Sequence, residues 1–222
     1  MNSLFPPGEI TFQKVTLDGS VLNRWKAPEL NLKANVVCEP CNNGWMSDIE
    51  AQYAAPAMSD LILGKRVGEI TAKRVRGIAL FAFKTAVVTN HMLPESEEFF
   101  ETAQRYAFRE SHRIPPNVVM WFFGCEANIA GALRNHNVRF SGKHDAALAL
   151  NVCTFSIGQF GFQVVSAKTN TAPEVQSLPT PPGLTIFFHP ALSDRVSWPR
   201  TVVLGWEGFD DFHARWRSVR FR

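Results

Sequence analysis

The chain of 222 residues has little charge and no long apolar segment. Charged residues make up 19% of the sequence, below the ~25% of an average globular protein, and this argues against a disordered or acidic-tailed chain. Apolar runs such as residues 78–83 are far shorter than the ~20 residues that a transmembrane helix needs. Residues 1–8 have neither the basic start nor the apolar core of a signal peptide. Together these absences predict a cytoplasmic protein without a membrane partner.

Cysteine, histidine and tyrosine are scarce. Four cysteines in a chain of this length do not make a disulfide framework, and no cysteine or histidine precedes Cys38. The net charge of +3 is too small to indicate a nucleic-acid partner by itself. Phenylalanine is abundant by contrast, with 18 residues against 2 tyrosines, and its side chain offers apolar area without a hydrogen-bonding group. We therefore expect a substantial core that folds without the help of a metal ion.

The first half of the chain shows mainly helical patterns. A short hairpin is predicted first, from the alternating residues 10–15, a turn signal and residues 21–25. Apolar residues four apart then predict a helix that Pro56 interrupts. We predict Thr71 as the N-cap of a long amphipathic helix. A run of glutamates over residues 95–101 predicts the start of a third helix, because carboxylates suit the positive end of the helix dipole.

The second half of the chain shows mainly strand patterns separated by Gly, Asn and Pro. A Pro-rich loop is expected at residues 169–183, and a final amphipathic helix carries Phe209 and Trp216. Helices followed by strands predict an α+β fold: a cysteine turn and helices, then an antiparallel sheet and a C-terminal amphipathic helix. Two regions are expected, residues 1–113 and 114–222, which can form one continuous domain. The predicted strands are residues 118–123, 138–140, 148–156, 159–166 and 184–189.

Cys38 and Cys41 form a C-x2-C pair that leads into Asn42-Asn43-Gly44 and a helix. This spacing allows both thiolates to bind one tetrahedral zinc ion, but the pair supplies only two of the four ligands. The motif therefore predicts half of a zinc site. The same spacing also occurs in redox pairs, whose usual βαβ context this sequence lacks.

Residues 36–50 read V-V-C-E-P-C-N-N-G-W-M-S-D-I-E. This segment resembles the second half of the HNH-endonuclease-like zinc motif, in particular that of bacterial and phage proteins with the signature V-C-x2-C-N-N-G-W-M-S-x-L-E. The resemblance extends to Lys-Thr-Ala at residues 84–86, a Pro-Pro before a strand and Trp-Pro at residues 198–199. It implies an HNH-like remnant in the N-terminal region. The motif residues that carry over are Cys38 and Cys41 as metal ligands, with Asn42, Asn43 and Trp45.

In the family that this segment resembles, an upstream C-x2-C completes a structural zinc site. A histidine activates water for attack on a phosphodiester, while a second metal stabilises the developing charge. Both upstream elements are missing here, so the catalytic half of the motif is absent and no catalytic residue is assigned.

Three explanations of the half motif stay open. The chain has discarded catalysis and kept the scaffold for binding, or it is an N-terminally shortened nuclease. In the third, the remaining ligands come from elsewhere, for instance from Cys125, Cys153 or a histidine. Burial in apolar strands is the simpler explanation for Cys125 and Cys153. The simpler explanation for Cys38 and Cys41 is a relic pair that is packed as small hydrophobic residues.

Two clusters of basic residues are candidates for binding phosphate. If they share one face, they form a surface that the small net charge conceals. The simpler explanation is a solvated helix face for the first cluster and a match to the helix dipole for the second. The first cluster comprises Lys65, Arg66, Lys73, Arg74 and Arg76, and the second comprises Arg215, Arg217, Arg220 and Arg222.

These observations predict a non-catalytic, HNH-derived protein that binds nucleic acid or a nucleic-acid-bound protein complex. The resemblance to phage and mobile-element proteins suggests an inhibitor of a host defence complex, as anti-CRISPR proteins are. The alternative is a metal-dependent HNH endonuclease that cleaves DNA. A partner-binding module without a nucleic-acid role is the third hypothesis.

Overall fold

The computed structural model describes residues 10–15, 21–27, 36–65, 67–126, 131–141, 147–169, 186–189, 195–198 and 203–217. The chain divides into two compact units, residues 1–35 and 36–222. In the first unit, strands β1 (Ile10–Val15) and β2 (Val21–Ala27) pair in antiparallel fashion, with an irregularity at Lys14 and Val15. This confirms the predicted hairpin. The expected Pro-rich loop lies outside the described residues, apart from its first residue, Thr169.

The second unit confirms the α+β class. Its largest sheet has six strands in the order β10-β4-β7-β6-β5, with β8 paired to the same edge of β4 as β10. Helix α3 packs on one face of this sheet and α5 on the other. The strands are β3 (Gly68–Thr71), β4 (Val118–Cys125), β5 (Gly131–Ser141), β6 (Ala147–Ile157), β7 (Phe160–Thr169), β8 (Ile186–His189), β9 (Arg195–Trp198) and β10 (Val203–Leu204).

The helices precede the sheet except for α5. The chain from Glu39 to Ile62 is helical almost throughout, with two π-helical segments and non-helical backbone angles at Gly44. Pro56 does not interrupt this stretch, because it lies in the first turn of α2, where its missing N–H costs little. The helices are α1 (Glu39–Cys41), α2 (Ala55–Ile62), α3 (Ala72–Asn90), α4 (Thr102–Ser111) and α5 (Trp206–Ala214), and the π-helical segments are Asn42–Met46 and Ile49–Ala54.

The sheet is mixed, whereas the sequence predicted an antiparallel one. Strands β5, β6, β7 and β4 pair with their neighbours in antiparallel fashion, but β10 runs parallel to β4. Val203 lies opposite Gly124, beyond the last residue of β4 that pairs with β8. A strand of two residues is too short for an alternating pattern to reveal.

Alternate residues of β6 show how the two faces of the sheet are used. The Cys153 thiol contacts Thr89 of α3 at 3.6 Å, and the Phe155 ring packs edge-on against Phe81 of the same helix. The next side chain, that of Thr154, points to the opposite face and bonds to α5. Both faces are therefore buried, and most of the described phenylalanines lie in the core, as the composition predicted.

The stretch from Ile49 to Ile62 lies antiparallel to α3. Glu50 in this stretch pairs with Lys84 of α3. At another point of the contact, a Cβ atom on Gly77 would lie only 2.6 Å from the carbonyl oxygen of Tyr53. Such a distance is impossible without a shift of the backbone, so the helices can approach this closely only with glycine at position 77.

The predicted start of α3 is confirmed, but that of the third helix is not. Thr71 accepts a hydrogen bond from the backbone N–H of Arg74 at 3.5 Å and caps α3. The glutamate run forms a 3-10 turn at Glu95–Glu97, and α4 begins only at Thr102. Glu101 is its N-cap, in a reciprocal capping box with Gln104. A capping box fixes the helix start more strongly than the dipole preference of several acids. None of the helices among the described residues is long and apolar enough to span a membrane.

Candidate functional site

The cysteine turn consists of Cys38, Glu39, Pro40 and Cys41. Cys38 has extended backbone angles at the start of the helical stretch, and its carbonyl oxygen accepts hydrogen bonds from the N–H groups of Cys41 (3.1 Å) and Asn42 (3.0 Å). Cys38 is exposed and Cys41 is half-buried, so the expectation that the pair is packed as small hydrophobic residues is wrong. The two thiols thus lie in one tight turn at the surface.

Trp45 attaches this turn to α4. Its ring packs edge-on against Phe108 with centroids 5.8 Å apart, and it stacks on the ring of His112 with centroids 6.1 Å apart. Phe108 in turn lies 4.8 Å from Phe83 of α3. His112 ends α4 in the left-handed conformation and donates its N–H to Phe108. The position of the cysteine turn is therefore set by an aromatic cluster.

Asn42 and Asn43 follow the cysteines and are exposed. The Asn42 side-chain N–H donates to the Asn43 side-chain oxygen at 3.4 Å, a long bond between neighbours. The resemblance gives these residues the task of orienting a histidine. Neither has a hydrogen bond to a histidine among the described residues.

The Cys38 thiol has an electrostatic environment that favours the thiolate. A hydrogen bond from the Cys41 side chain lowers the pKa of Cys38, and the positive charge of Arg109 on α4 contributes to the same shift. Such a thiol is more reactive than an ordinary one at neutral pH.

The residues around the turn do not fit a closed zinc site. Structural zinc is held by four ligands in tetrahedral geometry. Within the described ranges, no group of three or more His, Cys, Asp or Glu residues lies close enough to hold a metal ion. His112 Nε2 is enclosed and lacks a hydrogen-bond partner among the described residues, but it does not complete such a group with the thiols. The described part of the chain therefore offers the half site that the sequence predicted and no more.

Cys125 and Cys153 are core residues, as the simpler explanation held. Cys125 packs in a cluster with Phe123, Phe209 and other residues on the α5 side, whereas Cys153 faces α3. Burial raises the pKa of each thiol to about 12. They lie on opposite faces of the sheet, so they do not form a second pair.

The first basic cluster has two exposed cations that make no described contact. Lys73 and Arg76 lie on the first turns of α3, three residues apart and hence on one side of the helix. Neither forms an ion pair or a hydrogen bond among the residues that the structure describes.

The other residues of the first cluster have structural partners or are not described. Arg74 is half-buried and donates two hydrogen bonds to the carbonyl oxygen of Ala57, at 2.9 and 3.3 Å. Lys65 is exposed and pairs with Asp60 at 3.2 Å. Arg66 lies outside the described residues.

The second basic cluster does not form an exposed surface at Arg215. Its guanidinium group lies 4.1 Å from the ring of Phe212 and 5.0 Å from that of Trp216, and it donates to Gln163 at 3.2 Å. Burial lowers the pKa of Arg215 to about 10. Arg215 therefore belongs to the interface between α5 and the sheet. The side chain of Arg217 and the whole of Arg220 and Arg222 lie outside the described parts of the structure.

A chain of buried hydrogen bonds runs through the same interface. Trp216 Nε1 donates to Gln163 Oε1 at 2.8 Å, so Gln163 Nε2 faces Thr154 and donates to its hydroxyl at 2.8 Å. The Thr154 hydroxyl group is also hydrogen-bonded to His213 Nδ1 at 2.8 Å. His213 Nε2 is in turn hydrogen-bonded to His136 Nδ1 at 2.6 Å. His213 therefore has a structural role in the packing of α5 on the sheet.

The sequence did not indicate a role for two residues near the cysteine turn. Arg109 and His112 influence Cys38 and Trp45 respectively, yet both belong to α4, far away along the chain. The spacing of Arg105 and Arg109, one helical turn apart, was the only available signal. Arg105 itself binds Glu98, whose carboxylate oxygen also accepts a hydrogen bond from His91 Nδ1 at 2.7 Å.

Comparisons with protein-family models, curated proteins and solved structures found no match to this chain.

Proposed function

We propose that this chain is a non-catalytic, HNH-derived protein that binds the phosphate backbone of nucleic acid, alone or within a nucleoprotein complex. The observation that carries the proposal is the placement of Lys73 and Arg76 on the first turns of α3. Both are exposed and without a described partner, and Lys73 lies in the first turn, where the helix dipole repels positive charge.

The position of these cations distinguishes the proposal from the simpler explanation. A solvated helix face normally carries acids in its first turn, whereas the first turn of α3 contains none. A cation in the first turn costs roughly 0.3–1 kcal/mol in an exposed helix. A bound phosphate would offset that cost, because it interacts favourably with the helix end and with both side chains.

The chemistry of the cysteine turn favours a binding protein over an endonuclease. HNH-type cleavage needs a histidine that activates water and a metal ion at the scissile phosphate. The described residues supply two thiols, two exposed amides and a histidine stacked on Trp45, and none of these makes a metal-binding group of three. We therefore favour binding over cleavage.

Fluorescence anisotropy with a labelled DNA duplex of 20–30 base pairs tests the proposal across a range of salt concentrations. The double variant Lys73→Glu/Arg76→Glu should weaken binding at least about tenfold at low salt. It should also make the slope of log K against log salt shallower by about two, one for each lost phosphate contact.

A second double variant with the same change of net charge controls for general electrostatic effects. Arg113→Glu/Arg139→Glu changes the net charge by the same amount at two exposed residues outside α3, on the segment after α4 and on β5. This control should lose less than half as much binding free energy. Equal losses in both double variants, or no DNA binding by the wild type, would reject the proposed surface.

The same protein should leave plasmid DNA intact in the presence of Mg²⁺ or Mn²⁺. Metal-dependent cleavage that survives repurification and is lost in Asn43→Ala would favour the endonuclease instead. Affinity capture from the native host, with and without nuclease treatment, tests for a host defence complex as partner. A captured protein that is retained after nuclease treatment and is insensitive to Lys73→Glu/Arg76→Glu would favour the partner-binding module.

A further inference from the structure

The two surface thiols have no function in phosphate binding, so their arrangement calls for its own explanation. All four cysteines lie among the described residues, and two of them are enclosed in the core. Cys38 and Cys41 are the remaining two, and they share one turn in which the exposed thiol precedes the half-buried one.

We propose that Cys38 and Cys41 form a reversible dithiol–disulfide pair, in which Cys38 attacks a disulfide of a small thiol or a protein and Cys41 resolves the product. The number of donors favours this chemistry. A closed zinc site needs four ligands, whereas a disulfide needs two thiols, and two thiols are what the described turn provides.

The backbone of the turn suits an intramolecular disulfide. Cys38 lies outside the helix with φ −65° and ψ 150°, while Cys41 lies inside it, three residues later. The N–H of Cys41 is bonded to the carbonyl oxygen of Cys38, so the two residues stay on adjacent sides of one turn. Because both side chains stand on this one turn, a sulfur–sulfur bond of ~2.05 Å between them needs no other part of the chain.

The reaction proceeds by two exchange steps. The Cys38 thiolate attacks one sulfur of the substrate disulfide, forms a mixed disulfide and releases the other substrate sulfur as a thiolate. Cys41 then loses its proton to solvent, attacks the Cys38 sulfur and releases the second substrate thiolate. The protein dithiol loses two electrons, which reduce the substrate disulfide to two thiols. Both steps reverse when reduced thiol is in excess.

The surroundings assign different roles to the two cysteines. Cys38 is exposed and can be reached by an incoming disulfide. Cys41 is half-buried, so an external disulfide reaches it less easily than the Cys38 sulfur does. Trp45 packs against Phe108 of α4 and thereby attaches the turn to that helix.

Equilibration with glutathione and glutathione disulfide tests the proposal. The reduced, chelator-treated protein is incubated at stepped ratios of the two forms and quenched in acid. Its remaining thiols are then counted by alkylation in denaturant and mass spectrometry. We expect the loss of two thiols in a single step, a Cys38–Cys41 link in the peptide map, and full retention of the Cys125 and Cys153 thiols.

Two single variants separate the roles. Cys41→Ser should stop at a glutathione adduct on Cys38, because no resolving thiol is present. Cys38→Ser should react at least about tenfold more slowly, because the exposed thiol is gone and only the half-buried Cys41 remains. Circular dichroism checks that both variants fold, and if one does not, the wild-type thiol count decides alone.

Three results would overturn the inference. In the first, both surface thiols stay reduced at the most oxidising ratio. In the second, separate glutathione adducts accumulate on Cys38 and Cys41 of the wild type. In the third, the protein purified without chelator holds one zinc ion per chain, and both single variants lose that ion. The phosphate-binding proposal is independent of this outcome, because Lys73 and Arg76 are unchanged in these variants.

Discussion

Glu50 and Lys84 form an ion pair that joins the helical stretch after the cysteine turn to the middle of α3. The side chain of Lys84 is only 10% exposed, whereas that of Glu50 is 48% exposed. The Lys84 ammonium group also lies 4.8 Å from the centre of the Phe81 ring. The two sequence segments that suggested a family resemblance are thus in direct contact.

Unequal burial predicts unequal effects of removing the two partners. Glu50→Ala leaves an almost buried ammonium group without its carboxylate and should lower the free energy of unfolding by about 2 kcal/mol. Lys84→Met leaves a carboxylate that water can reach, so its cost should be about 1 kcal/mol or less. The double variant should be more stable than Glu50→Ala alone. Urea denaturation measures the stability of all three variants.

Asp60→Ala, which breaks the exposed pair with Lys65, serves as the control and should change stability by less than about 0.5 kcal/mol. Equal costs for both single variants would contradict the interpretation.

Trp45 should determine whether the cysteine turn stays attached to α4. Trp45→Ala removes the contacts with Phe108 and His112 and should cost about 2–3 kcal/mol, less than for a fully buried tryptophan. Hydrogen exchange should accelerate at residues 38–46 more than in α3. Tyr106→Ala is the matched control, since this aromatic residue of α4 is 55% exposed. Equal acceleration in both variants would argue against an anchoring role for Trp45.

Gln163 should be the most sensitive polar residue of the α5 interface. Gln163→Leu removes the acceptor for Trp216 Nε1 and one for Arg215, as well as the donor to Thr154, and leaves these groups unsatisfied in the core. We expect a loss of about 2–4 kcal/mol in chemical denaturation. Gln52→Leu makes the same change at an exposed position and should stay within about 0.5 kcal/mol of the wild type. If the two variants had similar stability, the hydrogen-bond chain would contribute nothing.

The four thiols should differ in their response to alkylating agents and to pH. Burial raises the pKa of Cys125 and Cys153 to about 12, so both remain protonated at pH 8 and should react with iodoacetamide only after unfolding. The pKa of Cys38 is lowered from its ordinary value by Cys41 and Arg109. Its reaction rate should therefore reach a plateau at a lower pH than that of an unstructured cysteine peptide. Arg109→Gln should move this plateau to higher pH, and mass spectrometry of quenched samples resolves each site. A plateau at the peptide's pH in the wild type would contradict the proposed electrostatic effect.

Local patterns predicted the elements whose boundaries depend on neighbouring residues. Thr71 caps α3 through a bond to Arg74, three residues away, and the apolar spacing of that helix is visible in the sequence. The hairpin of β1 and β2 and the core positions of Cys125 and Cys153 follow from short patterns in the same way.

Features that depend on distant contacts could not be predicted. Arg215 looks like a surface cation in a basic C-terminal segment, yet it is half-buried against Gln163 and two aromatic rings. The shift at Cys38 depends on Arg109, which only folding brings near. Sequence spacing can pair residues within one element, but it does not show which elements meet.

Residues 203–216 cover the second face of the sheet. They shield strand β4, which begins much earlier in the chain, at Val118. Trp121 and Phe123 on that strand contact Trp216, Phe209 and Phe212. During synthesis, the strands therefore leave the ribosome well before the helix that protects them. The nascent chain carries an uncovered aromatic surface in that interval, and a chaperone that binds such surfaces would find its site there until residues 203–216 emerge.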